Sequence, residues 1–209
     1  MLWETLGTAR DIGRLNELAS VLIRYGFGDV LRRLGLANVF NVAGKALHWK
    51  HAAEITQLES PVRFCHALAE MGPTFIKLGQ ILATRSDLFP PEWTVEFAKL
   101  QNHAPPVSFE LICKQLHEDL GCSPQQAFAE FNPTPFAAAS IAQVHRARLH
   151  DGAEVIIKVR RPGIMPVIEA DLRLLARIAE VMESESPTLR RFRPREVVRQ
   201  FTHSLRREL

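Results

Sequence analysis

The chain has 209 residues, 46% apolar and 23% charged; that is enough apolar material for a packed core and excludes general disorder. Its longest run without a charge, 131–145, is broken by Asn132, Pro133 and Pro135, so no segment reads as a bilayer span. The net charge of +3 is unevenly spread: it is acidic over 51–142 and basic over 143–209, a pattern that by itself does not make a nucleic-acid binder.

The N-terminus carries Glu4, Arg10, Asp11 and Arg14 with no apolar stretch and does not read as a signal peptide. From residue 11 to about 50 the spacing is helical, with Ile12, Leu15, Leu18, Ala19 and Leu22 on one face, punctuated by Gly26, Gly28 and Gly35. Ser60 before Pro61 reads as an N-cap, and that helix stops near Gly72. Pro73 restarts a helix to about Thr84, and Glu92 to Gln101 reads as another. Ser108 is expected to cap a helix holding Leu111, Ile112, Leu116 and Leu120 that Gly121 ends. Ser123-Pro124 opens a short turn of helix. Cys65, Cys113 and Cys122 have no CxxC spacing and fit reduced thiols better than a disulfide framework or a zinc site.

The period then changes. Asp151-Gly152 lies between two strand-like runs, Gln143 to Leu149 and Glu154 to Val159, a hairpin signal. After Pro162-Gly163 the helical period returns through Ile168, Leu172, Leu175, Ile178 and Val181. A last helix starts at Pro194 and is still running at Leu209. The arginines Arg190, Arg191, Arg193, Arg195 and Arg199 suit phosphates, anionic lipid or an acidic partner, or simply a solvated helix start.

Two constellations could carry chemistry. Val155-Ile156-Ile157-Lys158 puts a lysine on an apolar strand, either a snorkelling edge lysine or the phosphate lysine of a kinase sheet. Upstream, Ala137-Ala138-Ala139-Ser140-Ile141-Ala142-Gln143-Val144 keeps the spacing of a kinase GxGxxGxV loop, with alanine at 137, 139 and 142. Alanine resists the conformations glycine takes freely, so this loop should be stiffer and hold nucleotide differently. Ser140 either offers a hydroxyl to a phosphate or caps the turn. In Phe75-Ile76-Lys77-Leu78-Gly79-Gln80, Lys77, Gln80 and Thr84 share one helix face, opposite Phe75, Leu78 and Leu82. Gly79 in mid-helix suggests that another backbone packs there. By itself this segment also reads as an exposed polar face before a helix stop.

Lys77-Leu78-Gly79-Gln80 resembles the KxGQ signature of the UbiB/AarF atypical kinase-like proteins. Ser86-Asp87-Leu88-Phe89-Pro90, the alanine-rich loop, the Lys158 strand and Arg160-Arg161-Pro162-Gly163-Ile164 resemble the same family in the same order, over roughly 60–209. The resemblance implies an α+β fold: a helical extension (1–59), a helical KxGQ insert (60–130) and the start of a kinase-like small lobe with an antiparallel sheet (131–209), with no large lobe. Lys158 would be the phosphate lysine, and Ala137, Ala138, Ala139, Ser140, Ile141, Ala142 and Val144 the nucleotide loop. Lys77 and Gln80 would reach into the cleft, and Glu208 fits the Glu of an ExD motif whose Asp would come next. Catalytic-loop and magnesium ligands would lie beyond residue 209, since His117-Glu118-Asp119 is misplaced for that role.

The family's members use ATP with Mg²⁺ and support ubiquinone biosynthesis. The implied partners are a nucleotide, a lipid or quinone precursor, ubiquinone-biosynthesis proteins and a membrane surface, at the cytoplasmic side of a bacterial inner membrane, with no nucleic acid. The implied activity is that of an atypical kinase or ATPase. The alternative is a non-catalytic helical module for lipid, membrane surface or a partner. On this reading residues 1–209 alone would be poorly stable and inactive, with an open strand edge at 155–159. The last helix would lack partners for Val197, Val198, Phe201 and Leu205.

Overall fold

The computed structural model describes residues 9–36, 57–100, 104–185 and 187–209; the helical pattern expected over 37–50 lies outside them. The described residues form a mixed fold of helices and a small antiparallel sheet in two compact units.

The helical unit comprises α1 (Ala9–Arg24), α2 (Gly28–Arg33), α3 (Ser60–Met71), α4 (Pro73–Leu82) and α5 (Pro91–Ala98), then most of α8 (Ile164–Glu185), α9 (Pro187–Arg190) and α10 (Pro194–Glu208). Ser60 is not the cap but the first helical residue, and its hydroxyl accepts from Arg63 Nη2 at 3.1 Å. Between α3 and α4 the chain turns at Gly72, whose φ of 99° lies where glycine is favoured. Pro73 then starts α4 where no N–H is needed. Leu68 and Met71 of α3, Phe75 and Leu82 of α4 and Phe97 of α5 are buried with Ile168, Leu172 and Leu174 of α8. Rings of Phe64, Phe89, Trp93 and Phe97 meet edge-on or tilted, their centroids 5.3 to 6.1 Å apart.

Two expectations are corrected here. Phe201 and Leu205 are 2% and 0% exposed, because α10 packs on α4; the last helix does have partners, and Val197 and Val198 are half-buried. Gly79 faces side chains rather than a backbone. A Cβ there would lie 2.1 Å from Leu100 Cδ1 and 3.0 Å from Leu68 Cδ1, so the glycine admits those two leucines against α4.

One buried carboxylate ties the unit together. Asp171 of α8 is 0% exposed and accepts from Arg14 Nε at 2.7 Å, from Arg14 Nη2 at 3.2 Å and from Thr74 Oγ1 at 2.6 Å. Arg14 also donates to the Met71 carbonyl at the end of α3. Burial opposes the Arg14 charge, but Asp171 and then Glu17 more than offset it, so its pKa is raised. A second pair, Arg173 to Asp11, joins the same two helices at 2.6 Å.

The sheet unit spans 104–167 and holds α6 (Phe109–Leu120), α7 (Pro124–Ala127), β1 (Glu130–Phe131), β2 (Ala137–Ala138), β3 (Ala142–Arg148) and β4 (Glu154–Arg160). All pairings are antiparallel. β4 pairs the whole of β3, so β1 and β2 share the other edge of β3, at its two ends. Ser108 precedes α6 without a side-chain capping bond, while Gly121, at φ 74°, ends the helix as expected. The Asp-Gly hairpin closes through Leu149 N–H to Ala153 O at 2.9 Å, with Gly152 at φ 90° and Asp151 Oδ1 accepting from Ala153 N–H. Alternation does the rest. Gln143, His145, Ala147 and Val159 are buried on one face, where Ile112 and Leu116 of α6 meet Val159. Val144, Arg146, Ile156 and Lys158 lie on the other. Among the described residues β4 pairs with β3 alone, which leaves the open edge at 155–159 that the sequence implies.

Two predictions follow from the helical unit. Asp171→Ala takes from Arg14 and Thr74 their buried acceptor and should cost about 3 kcal/mol in urea unfolding, with Asp171→Asn costing less. Glu169 of α8 is held below its ordinary value of 4.5 by hydrogen bonds from Arg206 of α10, against a smaller effect of burial. A carboxyl lowered in the folded state adds stability above its unfolded value and loses it as pH falls through its folded one. The difference between wild type and Glu169→Gln, under about 1 kcal/mol at neutral pH, should therefore shrink as pH falls below the ordinary value of 4.5 and disappear below the lower folded one, in pH-resolved thermal melts.

Candidate functional site

In the sheet unit, strand register brings together what the sequence separates. Ala137 pairs with Val144, and Val144 pairs with Lys158. These three therefore form one row across β2, β3 and β4, with strands about 5 Å apart. Lys158 is exposed on this row. Ile156, two residues back on the same face, is 64% exposed and was not singled out by the sequence. Arg146 lies opposite Ile156 and stacks over the Phe136 ring at 4.8 Å.

The alanine loop connects β2 to β3. Ser140, Ile141 and Ala142 are buried, Ala138 and Ala139 half-buried, and Ala137 is exposed. None of these residues has a positive φ; the turn is built within the conformations alanine accepts, so it does not imitate a glycine loop. Ala139 N–H donates to Ala142 O at 2.8 Å, and Ala138 O accepts from Ala104 N–H at 3.4 Å. Arg161, given no role by the sequence beyond its place in the Arg160–Ile164 motif, holds the loop twice. Its Nε donates to Ala139 O at 2.8 Å, and its backbone N–H donates to Ile141 O at 2.9 Å. Its Nη2 also reaches Pro105 O at 2.8 Å.

Beside the loop, the Gln143 amide pairs with the Val107 backbone, accepting from its N–H at 2.9 Å. His145, fully buried, donates from Nδ1 to Asn132 O at 2.8 Å and stacks on Phe131. Its Nε2 is then left to accept from Gln143 Nε2 at 3.0 Å.

The second constellation lies in the helical unit. Lys77 Nζ of α4 meets Glu208 Oε1 of α10 at 2.6 Å, so two of the expected residues are in contact. Gln80 Nε2 donates to Leu100 O at 3.1 Å, just past the end of α5. Thr84 does not join them; its hydroxyl donates to Ile81 O at the end of α4. Arg85 and Asp87 form a bidentate pair, both contacts 2.7 Å, that holds Asp87 below the usual carboxylate range. His117-Glu118-Asp119 is on α6 as expected, and its Asp119 binds Arg160 of β4 at 2.7 Å, a structural link.

Among the described residues no three carboxylate, imidazole or thiol groups converge where they could hold a metal ion. No helix of theirs is long and apolar enough to cross a membrane.

Known proteins resemble this chain in sequence. The family model of the ABC1 atypical kinase-like domain matches residues 99–209. A protein of Cronobacter sakazakii named "Probable protein kinase UbiB" is 40% identical over 97% of this chain and 37% of its own length. Proteins of the same name from Pseudomonas paraeruginosa and Aliivibrio fischeri are 41% and 38% identical, over 94% and 97% of this chain and 37% of theirs. The chain thus spans a little over a third of the length of these relatives. A solved structure, the complex of Rv3197 with erythromycin from Mycobacterium tuberculosis, is 30% identical with a TM-score of 0.39, covering 65% of this chain and 34% of that one. With more than half of its length matched by the family model, the chain belongs to the ABC1 atypical kinase-like family.

Proposed function

We propose that the chain is the nucleotide-binding and helical part of an ATP-dependent atypical kinase or ATPase that supports ubiquinone biosynthesis. The observation that carries this reading is the row Ala137, Val144 and Lys158, which puts a cation and a tight loop on one open sheet face. Lys158 would neutralise phosphate charge there. Val144 and Ile156 offer apolar surface to the base, and ATP supplies the phosphoryl group. The ion pair of Lys77 with Glu208 supports a working role for the KxGQ helix, since it engages the glutamate that resembles the family's ExD residue. The three segments 1–59, 60–130 and 131–209 remain, on this reading, extension, insert and small lobe. The substrate class is a lipid or quinone precursor, handled with other ubiquinone-biosynthesis proteins at the cytoplasmic face of a bacterial inner membrane; the exposed Arg190, Arg191 and Arg193 suit an anionic surface.

Calorimetry with MgATP on the intact protein tests the nucleotide reading. Lys158 is exposed, so Lys158→Ala should leave the melting temperature unchanged. Loss of a charged phosphate contact should weaken MgATP binding about tenfold or more. Equal affinities would remove Lys158 from the site. Ala139→Gly should change the ratio of ATP to ADP affinity, because it gives the loop freedom it now lacks; an unchanged ratio would make the alanine a packing residue only.

A further inference from the structure

We infer that Arg161 is the positioning residue of the alanine loop: its guanidinium and its own N–H fix two loop carbonyls and so set which way the loop presents its peptide N–H groups. This rests on the reading of the loop as a nucleotide site. In a trans peptide the carbonyl and the following N–H point in opposite directions, and no cis bond occurs among the described residues. With Ala139 O held by Arg161 Nε at 2.8 Å, the Ser140 N–H is turned away from the guanidinium. With Ile141 O held by Arg161 N–H at 2.9 Å, the Ala142 N–H is likewise fixed.

Among the described residues no backbone acceptor takes up the N–H of Ser140 or of Ile141, although both residues are buried. Buried peptide donors need acceptors, and consecutive N–H groups left open in a turn suit an anion such as a phosphate.

A glycine loop can reorient its peptides when a phosphate arrives. An alanine loop without a positive φ cannot do so easily, and a clamp that sets the peptides beforehand replaces that freedom with preorganisation. The same guanidinium ties the loop to Pro105 O at 2.8 Å, so the clamp is braced against the segment that precedes α6. All the side-chain partners of Arg161 are carbonyls. Burial therefore lowers its pKa with no carboxylate to offset it, and its charge remains available to favour a polyanion nearby.

The test compares wild type with Arg161→Gln, Arg161→Lys and the neighbouring control Arg160→Gln in the intact protein, by hydrogen exchange without nucleotide and by calorimetry with MgATP. Arg161→Gln, which removes the side-chain contact to Ala139 O and keeps the backbone one, should speed exchange of the Ala139 amide about tenfold and weaken MgATP binding by a similar factor while the melting temperature holds. Arg161→Lys, which keeps the charge but not the fork, should recover part of the affinity, and Arg160→Gln should match wild type in both. Wild-type exchange in Arg161→Gln would overturn the clamp, as would faster exchange with unchanged MgATP affinity. If Arg161→Gln does not fold, Arg161→Lys decides by the same two readouts. Should wild type fail to bind MgATP, the nucleotide reading falls by itself, whereas the exchange experiment still reads the clamp.

Discussion

The helical unit depends on the burial of one charge, the carboxylate of Asp171. A carboxylate without water has to be met by donors, and here they come from Arg14 of α1 and Thr74 at the start of α4. Arg14 reaches the Met71 carbonyl at the end of α3 at the same time. Four helices are thereby fixed at one point, next to the Gly72 turn. α4 leaves that point in a set direction, with Phe75 and Leu82 in the core and Lys77 turned to Glu208. The KxGQ helix is anchored at its start by Thr74, outside its signature, and held further along by Lys77 and Gln80.

The sheet unit solves a different problem. Its loop carries methyl groups where kinase loops carry hydrogens, and it keeps every alanine at an ordinary φ. Conformational freedom is therefore unavailable as a means of fitting a ligand. Order comes from outside the loop, through Arg161, Ala104 and the Gln143–Val107 pair. The consequence is a loop whose shape is set by its surroundings.

Much of this was legible in the sequence because it is local. Asp151-Gly152 announced the hairpin and Gly121 the end of α6, while the register that aligns Ala137, Val144 and Lys158 came only with the structure. What escaped was long-range. Asp171 lies in the same helical stripe as Ile168 and Leu172, and an acid on an apolar face was the available hint of a buried partner. Nothing near Arg161 in sequence points to Ala139 or Pro105. Gly79 was rightly seen as a close approach, but side chains make it, since Leu100 and Leu68 arrive from α5's end and from α3. The burial of Phe201 and Leu205 was missed because their partners on α4 lie more than a hundred residues earlier.

The central claim is that nucleotide binds on the open sheet face at the row of Ala137, Val144 and Lys158. Photolabelling with an azido-adenine ATP analogue, followed by peptide mapping, tests it most directly. The account predicts that label falls on the segments carrying Val144 and Ile156 and is displaced by excess ATP. ATP-displaceable label confined to the helical segments, or an absence of displaceable label, would contradict it.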